Sequence, residues 1–171
     1  MSDYRTAKGW LTMAEREALF TWAIEVAPMQ GAMLNIGIEF GASMHCLAEG
    51  SGLLVGVDLV GDEKMEGGPL LDTLIVKGMS QDLYTIWSRE QPIKLAFVDG
   101  GHDYRTVMSD CRFAYLVCHG GIIAFHDTSN SPAEADVNRA VTEFAAEGGT
   151  GPSLGFVELP RVDSIRAFKR D

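Results

Sequence analysis

Two aspartates and two histidines stand where apolar runs stop. Asp99-Gly100-Gly101-His102 follows the run Ile93–Val98, and His126-Asp127 closes the run Ile122–Phe125. Carboxylate oxygens together with one imidazole suit a divalent cation such as Mg²⁺ or Mn²⁺. Asp99, His126 and Asp127 are therefore candidate metal ligands, provided the fold brings them together. Carboxylate or amide is the commoner partner in a pure Mg²⁺ site. His126 thus tilts the expectation toward Mn²⁺, or toward a histidine outside the coordination sphere. Plainer roles exist for each residue. Asp99 could cap a helix beginning near Asp103, His126-Asp127 could stabilise a turn, and His102 could only shape a Gly-Gly-His loop.

The elements that would position these residues can be read on either side. Both apolar runs read as buried parallel strands joined by one crossover helix, and neighbouring parallel strands carry their carboxyl ends to the same edge, where ligands bind. Thr12-Met13-Ala14-Glu15 has capping-box spacing and Leu19, Trp22, Ala23 and Val26 follow at helical intervals, predicting a helix from about Leu11 to Ala27. Met33–Gly37 reads as a strand, Ala42–Glu49 as a helix and Leu53–Val57 as a second strand closed by Asp58. Val60–Leu70 reads as a loop, Thr73–Val76 as a third strand, and Ser80 as the N-cap of a helix to about Arg89. After the fifth strand come a loop to Pro132, a helix over Ala133–Ala146 with Val137, Ala140, Val141 and Phe144 on one face, and a loop over Gly148–Pro152. Two strands, Gly155–Leu159 and Ser164–Lys169, follow with a short hairpin-like connection between them.

Five strands alternating with helices imply an α/β fold, a doubly wound Rossmann-like sheet with helices on both faces. The closing pair raises the strand count to seven and implies one antiparallel edge strand. At 171 residues the chain reads as a single domain: an N-terminal helical segment over 1–30 and a Rossmann-like core over 31–171. An apolar fraction of 46%, a charged fraction of 22% and a net charge of −10 describe an ordinary acidic globular protein. That charge argues against nucleic acid as a partner. The N-terminus shows no signal-peptide core and no run is long enough to span a membrane, so a cytoplasmic protein with no membrane partner is expected. Cys46, Cys111 and Cys118 give neither a disulfide framework nor a zinc signature. Cys111 and Cys118, seven apart, fit the buried face of one helix.

Gly37 and Gly41 flank the turn after the first strand, and Asp58 lies 21 residues beyond Gly37 at the end of the second. Glycine there allows close approach of a ligand to backbone, and a strand-end carboxylate can accept both hydroxyls of a ribose. A tight turn beside a solvated acid is the plainer alternative. The spacing is GxxxG, not the GxGxxG of dinucleotide sites, which weakens the case for a nicotinamide-dependent oxidoreductase.

On these residues the chain resembles class I S-adenosylmethionine-dependent methyltransferases. In particular it resembles the small O-methyltransferases related to catechol O-methyltransferase and the macrolide-sugar and cephalosporin-hydroxylase-like group. Asn35-Ile36-Gly37-Ile38-Glu39-Phe40-Gly41-Ala42-Ser43 resembles their first motif, and Val57-Asp58 their ribose acid. Gly78-Met79-Ser80-Gln81-Asp82 resembles the segment beside the adenine. The residues around Asp99–His102 and Gly120–Asp127 resemble the ends of strands four and five.

The resemblance implies a metal-assisted O-methyltransferase acting on a hydroxyl of a small molecule. Gly37, Ile38, Glu39 and Gly41 would hold the methionine part of S-adenosylmethionine, with Ser43 near its carboxylate. Asp58 and Leu59 would border the ribose, Ser80 and Gln81 the adenine, and Asp99 would stand between cofactor and cation. Asn35 replaces the acid of the family's first motif, and its side-chain oxygen can still accept from the cofactor's amino group. Asp99, His126 and Asp127 match the positions that bind Mg²⁺, and His102, in an Asp-x-x-His like that of the macrolide-sugar enzymes, would be the base. A methyltransferase-like domain that binds cofactor or partner without turnover is the alternative. The resemblance also allows a homodimer. Substrate choice is expected from the N-terminal segment, Val60–Leu70 and Asn130–Glu134. His45 and His119 are expected to pack or to face solvent.

Overall fold

A computed structural model describes residues 3–50, 52–61, 63–65, 70, 72–146 and 149–171. Helix α1 (Met13–Val26) begins at the capping box: Thr12 Oγ1 accepts from Glu15 N at 3.2 Å and Glu15 Oε2 accepts from Thr12 N at 2.9 Å. β1 (Ala32–Ile36), α2 (Ala42–Ala48), β2 (Leu54–Asp58), β3 (Thr73–Lys77), α3 (Ser80–Ile86), β4 (Ile93–Val98) and α4 (Tyr104–Asp110) follow. A 3-10 turn over Cys111–Leu116 leads into β5 (Val117–Phe125). A second over Pro132–Glu134 opens α5 (Ala135–Ala145), then α6 (Thr150–Ser153), β6 (Phe156–Glu158) and β7 (Arg166–Arg170) complete the chain.

The seven strands form one sheet in the order β3-β2-β1-β4-β5-β7-β6. β1, β2, β3, β4 and β5 run parallel, and every residue of β1 and β4 is buried, as a strand covered on both faces requires. Alternate residues feed two cores. Leu34 and Ile36 face Val107 of α4 and Val137, Ala140 and Phe144 of α5, while Met33 and Phe97 face Leu19, Trp22 and Ala23 of α1 and Met44 of α2. The N-terminal helical segment is therefore built into the second core. The chain switches direction of winding between β1 and β4, which opens a crevice at their carboxyl ends.

Several expectations need correction. Ser80 is the first helical residue of α3 and not its N-cap. Met79 has the extended backbone a cap needs (φ −83°, ψ 142°), and the Ser80 hydroxyl turns away to donate to Asp110 at 2.5 Å. That helix also ends at Ile86, short of Arg89. Cys111 and Cys118 do not share a helix face: α4 stops at Asp110, the chain tightens into a 3-10 turn, and Cys118 lies on β5, which starts five residues earlier than Ile122. Spacing by sevens has meaning only while an α-helix continues. Thr150–Ser153 is a short helix inside the expected loop, whose Gly148 lies outside the described residues, as do Asp62 and Glu66–Pro69 of the earlier one. The reversed strand is β7. It pairs antiparallel with β5 on one side and β6 on the other, one place in from the edge.

Candidate active site

β1 runs past its last residue into a turn whose conformation few sequences tolerate. Gly37, Glu39 and Gly41 all have positive φ, at 85°, 44° and 95°. A Cβ at Gly37 would sit 2.0 Å from the Asp99 carbonyl oxygen, so glycine lets the ends of β1 and β4 touch. Asp58 stiffens the turn from β2. Its Oδ2 accepts from the N–H of Ile38 (2.8 Å) and Glu39 (3.2 Å), and its Oδ1 from Val60 N (2.8 Å). A carboxylate offers about four acceptor sites. Three are used among the described residues, which leaves one for a ribose hydroxyl where the sequence suggested two.

A cavity of about 940 Å³ opens beside this turn. Its wall contains Gly37, Ile38, Glu39, Ser43, Asp58, Leu59, Ser80, Gln81, Asp99, His102, His126 and Asp127, all singled out from sequence. Two of the candidate residues stay out of the wall. Asn35 is fully buried, and its Nδ2 donates to the Gly37 carbonyl at 2.8 Å. Its Oδ1 has no partner among the described residues, so the side chain braces the turn from below and does not reach the cavity. Gly41 caps α2 with its backbone and packs on Met65. His45 is buried in α2 and His119 lies on β5, both away from the cavity.

On the other side, the ladder continues beyond the strands: Asp99 N donates to Ile36 O and His126 N to Val98 O, at 2.8 and 3.0 Å. This stagger brings Asp99, His126 and Asp127 together, with one donor atom of each within 4.8 Å of the others. His126 Nδ1 lies 3.1 Å from Asp99 Oδ1 and 3.2 Å from Asp127 Oδ1. His102 Nε2 lies 3.2 Å from Asp127 Oδ2 and 3.9 Å from Asp99 Oδ1. The plainer role for Asp99 is filled by Asp103, whose side chain accepts from Arg105 N and Thr106 N at the start of α4. Asp127 holds a positive φ of 54°, unusual for a residue with a Cβ, which aims its carboxylate back into the cluster.

Charge explains the titration of the group. Burial opposes a charged His126, but hydrogen bonds to Asp127, Asp99 and Glu15 outweigh it and raise its pKa to about 12. Asp99 is the main cause of a raised His102, helped by Asp127 against desolvation. His126 in turn lowers Asp127. Glu15 is held down at about 2, because contacts with His126, Ser164 and Thr12 overcome its burial.

Glu15, Asp163 and Ser164 join the cavity wall without having been expected there. Glu15 is legible only as a capping-box residue, a role that hides the rest of its carboxylate. Asp163 and Ser164 sit in a connection before β7 whose path no local pattern reveals. The N-terminal segment reaches the rim because buried Arg16 gathers it, donating to the carbonyls of Tyr4, Ala7 and Leu11 at 2.7, 2.6 and 3.1 Å. Trp10 stands there 78% exposed.

The donor set suits a divalent cation, two carboxylates and one imidazole converging within ligand reach. The opposite side suits a nucleoside bearing a sulfonium. It offers the glycine turn, the remaining acceptor site of Asp58, and Gln81 Oε1, which is buried without a partner among the described residues. Among the described residues, eight carboxylates and no Lys or Arg line the wall.

Residues 34–128, more than half of the chain, match a family described as a methyltransferase domain. No curated protein sequence matches. Among solved structures, the O-methyltransferase from Bacillus cereus in complex with SAH superposes with a TM-score of 0.64 at 18% identity, covering 94% of this chain and 83% of that one. The TDP-rhamnose 3'-O-methyltransferase of calicheamicin biosynthesis gives 0.68 at 16%, covering 92% and 79%. The mycinamycin methyltransferase MycE, solved with Mg, SAH and mycinamycin VI, gives 0.69 at 14%, covering 96% of this chain and 50% of its own. At these identities the likeness is one of fold.

Proposed function

This chain belongs to the methyltransferase-domain family, and we propose that it transfers a methyl group from S-adenosylmethionine to a hydroxyl of a small molecule, assisted by a divalent cation. The observation that carries the reading is one cavity holding the glycine turn and Asp58 on one side and Asp99, His126, Asp127 and His102 on the other. In this reading the backbone of Gly37–Glu39 and Ser43 hold the methionine end, Asp58 accepts a ribose hydroxyl, and Leu59, Ser80 and Gln81 border the adenine. Asp99, His126 and Asp127 hold Mg²⁺ or Mn²⁺.

When bound, the cofactor supplies an electrophilic methyl carbon and the cation supplies charge that orients an acceptor hydroxyl and lowers its pKa. The protein's own contribution is alignment, which can account for much of such a rate enhancement, and proton removal. With its Nε2–H held by Asp127, His102 accepts the hydroxyl proton at its other ring nitrogen, Nδ1. Asp99 and Asp127, which raise its pKa, stabilise the imidazolium that forms. A wall of carboxylates, without Lys or Arg among the described residues, favours an uncharged acceptor over one carrying phosphate, unlike the TDP-sugar named for the calicheamicin enzyme.

Binding without turnover is the second reading, favoured by Asn35, which replaces an acid and is shut away from the cavity. Calorimetry and turnover separate the two. We expect S-adenosylhomocysteine to bind and NAD not to, and methyl transfer to a panel of sugars and diols to stop with EDTA or with Asp99→Ala. No binding of S-adenosylhomocysteine would sink the reading. Binding with no transfer to any acceptor would leave the second one, and transfer that survives EDTA would remove the cation.

A further inference from the structure

Glu15 belongs to α1, yet its carboxylate ends against the metal-ligand cluster. It is 1% exposed. Oε1 accepts from the N–H and the hydroxyl of Ser164 at 3.0 and 2.7 Å. Oε2 accepts from Thr12 N at 2.9 Å and lies 3.3 Å from His126 Nε2. Four donors occupy the four acceptor sites of this carboxylate, so it cannot turn without abandoning one. The His126 ring is 8% exposed, and its other nitrogen faces Asp99 and Asp127. A neutral imidazole has one N–H, and a carboxylate can only accept. Without a cation both nitrogens can donate, Nδ1 to Asp99 and Asp127 and Nε2 to Glu15; a cation held by Asp99 and Asp127 would take the place of the Nδ1 proton, and Glu15 would keep the remaining one on Nε2.

We propose that Glu15 is a positioning residue that holds His126 in its Nε2–H form, so that Nδ1 completes the divalent-cation site with Asp99 and Asp127. This rests on the cation-assisted reading above. Carboxylates that orient a ligating histidine in this way recur at metal sites, and their loss typically costs 10–100-fold in metal affinity. In this chain the same carboxylate also fastens the start of α1 to the segment before β7. Cation affinity is thereby coupled to contacts spanning nearly the whole sequence.

The test measures Mn²⁺ binding from the loss of the free-ion EPR signal, with S-adenosylhomocysteine affinity measured on the same samples. Glu15→Gln keeps the shape, but its amide must turn N–H toward one of the two donor pairs, Ser164 N–H with its hydroxyl or Thr12 N–H with His126. It is expected to weaken Mn²⁺ roughly 10–100-fold while leaving S-adenosylhomocysteine affinity within about threefold. Ser164→Ala, which loosens the same clasp without touching His126, is expected to leave Mn²⁺ affinity within about threefold. Equal Mn²⁺ binding by wild type and Glu15→Gln, or an equal loss in Ser164→Ala, would reduce Glu15 to a structural tie. Wild type that binds S-adenosylhomocysteine but no Mn²⁺ would overturn the cation reading and this inference together. Histidine ¹⁵N correlation spectra of the Mg²⁺-loaded wild type need no variant: an Nε2–H signal for His126 supports the proposal, and an Nδ1–H signal overturns it.

Discussion

His102 and His126 share two carboxylates yet differ in what they can do. The His102 side chain is 53% exposed, open to a substrate hydroxyl, with Nε2 held 3.2 Å from Asp127. His126 is enclosed, with both nitrogens already engaged. In the proposed reaction proton removal therefore falls to His102, and His102→Gln should lower kcat by roughly 10²–10⁴-fold while S-adenosylhomocysteine affinity, read by calorimetry, stays put. A loss confined to KM would refute the assignment. Behind the expected adenine wall, Asp110 is 1% exposed, with one oxygen on the Ser80 hydroxyl and the other without a partner among the described residues. Burial pushes its pKa up to about 6 from 3.8. Because the folded-state value is the higher one, the stabilisation is complete below about pH 4 and is lost as pH rises through 6, an effect on the order of 3 kcal/mol. Asp110→Asn should accordingly be more stable than wild type at pH 7.5 in urea unfolding. The gap should close toward pH 4, and one that ignored pH would contradict this account.

Among the elements, the turn between β1 and α2 is where sheet geometry becomes site geometry. Gly37 at φ 85°, with the Asp99 carbonyl in the space a Cβ would need, couples the turn after β1 to the Asp99 end of β4 through backbone alone. Gly37→Ala has no flexible neighbour to displace and should cost roughly 2–4 kcal/mol, with S-adenosylhomocysteine binding lost. Gly120, also at positive φ, would meet only the Met29 side chain at 3.4 Å. Gly120→Ala should cost about 1 kcal/mol and leave binding intact. Similar effects of the two substitutions in denaturant titrations would show that the turn is not special.

At the scale of the molecule, the crevice between β1 and β4 is walled by segments from both ends of the chain, Gly9–Thr12 and Asp163–Ser164, so ligand binding should be felt as global stability. S-adenosylhomocysteine at 100 times its Kd should add about 2.7 kcal/mol, a Tm rise of roughly 5–10 °C for a domain of this size. An unchanged Tm in a thermal melt would argue against binding to the folded state. Among the described residues no helix is long and apolar enough to cross a membrane.

Local pattern alone determined a good deal. The runs of apolar residues predicted all seven strands, β4 to the residue, because a strand buried on both faces is mostly apolar, Lys94 being the one exception in β4. Polar residues at the ends of those strands marked Asp58, Asp99, His102, His126 and Asp127 as neighbours before any contact was known, since parallel strands deliver their ends to one edge. What the chain did not disclose are contacts between segments far apart. Asn35, read as a ligand, braces a turn. Ser80, read as a cap, donates to Asp110. Glu15, read as half of a capping box, holds a histidine 111 residues away. A side chain's type and its place in a helix or strand are local properties. The partners of each oxygen, and so its chemistry, are decided only when α1 and the segment before β7 close over the strand ends.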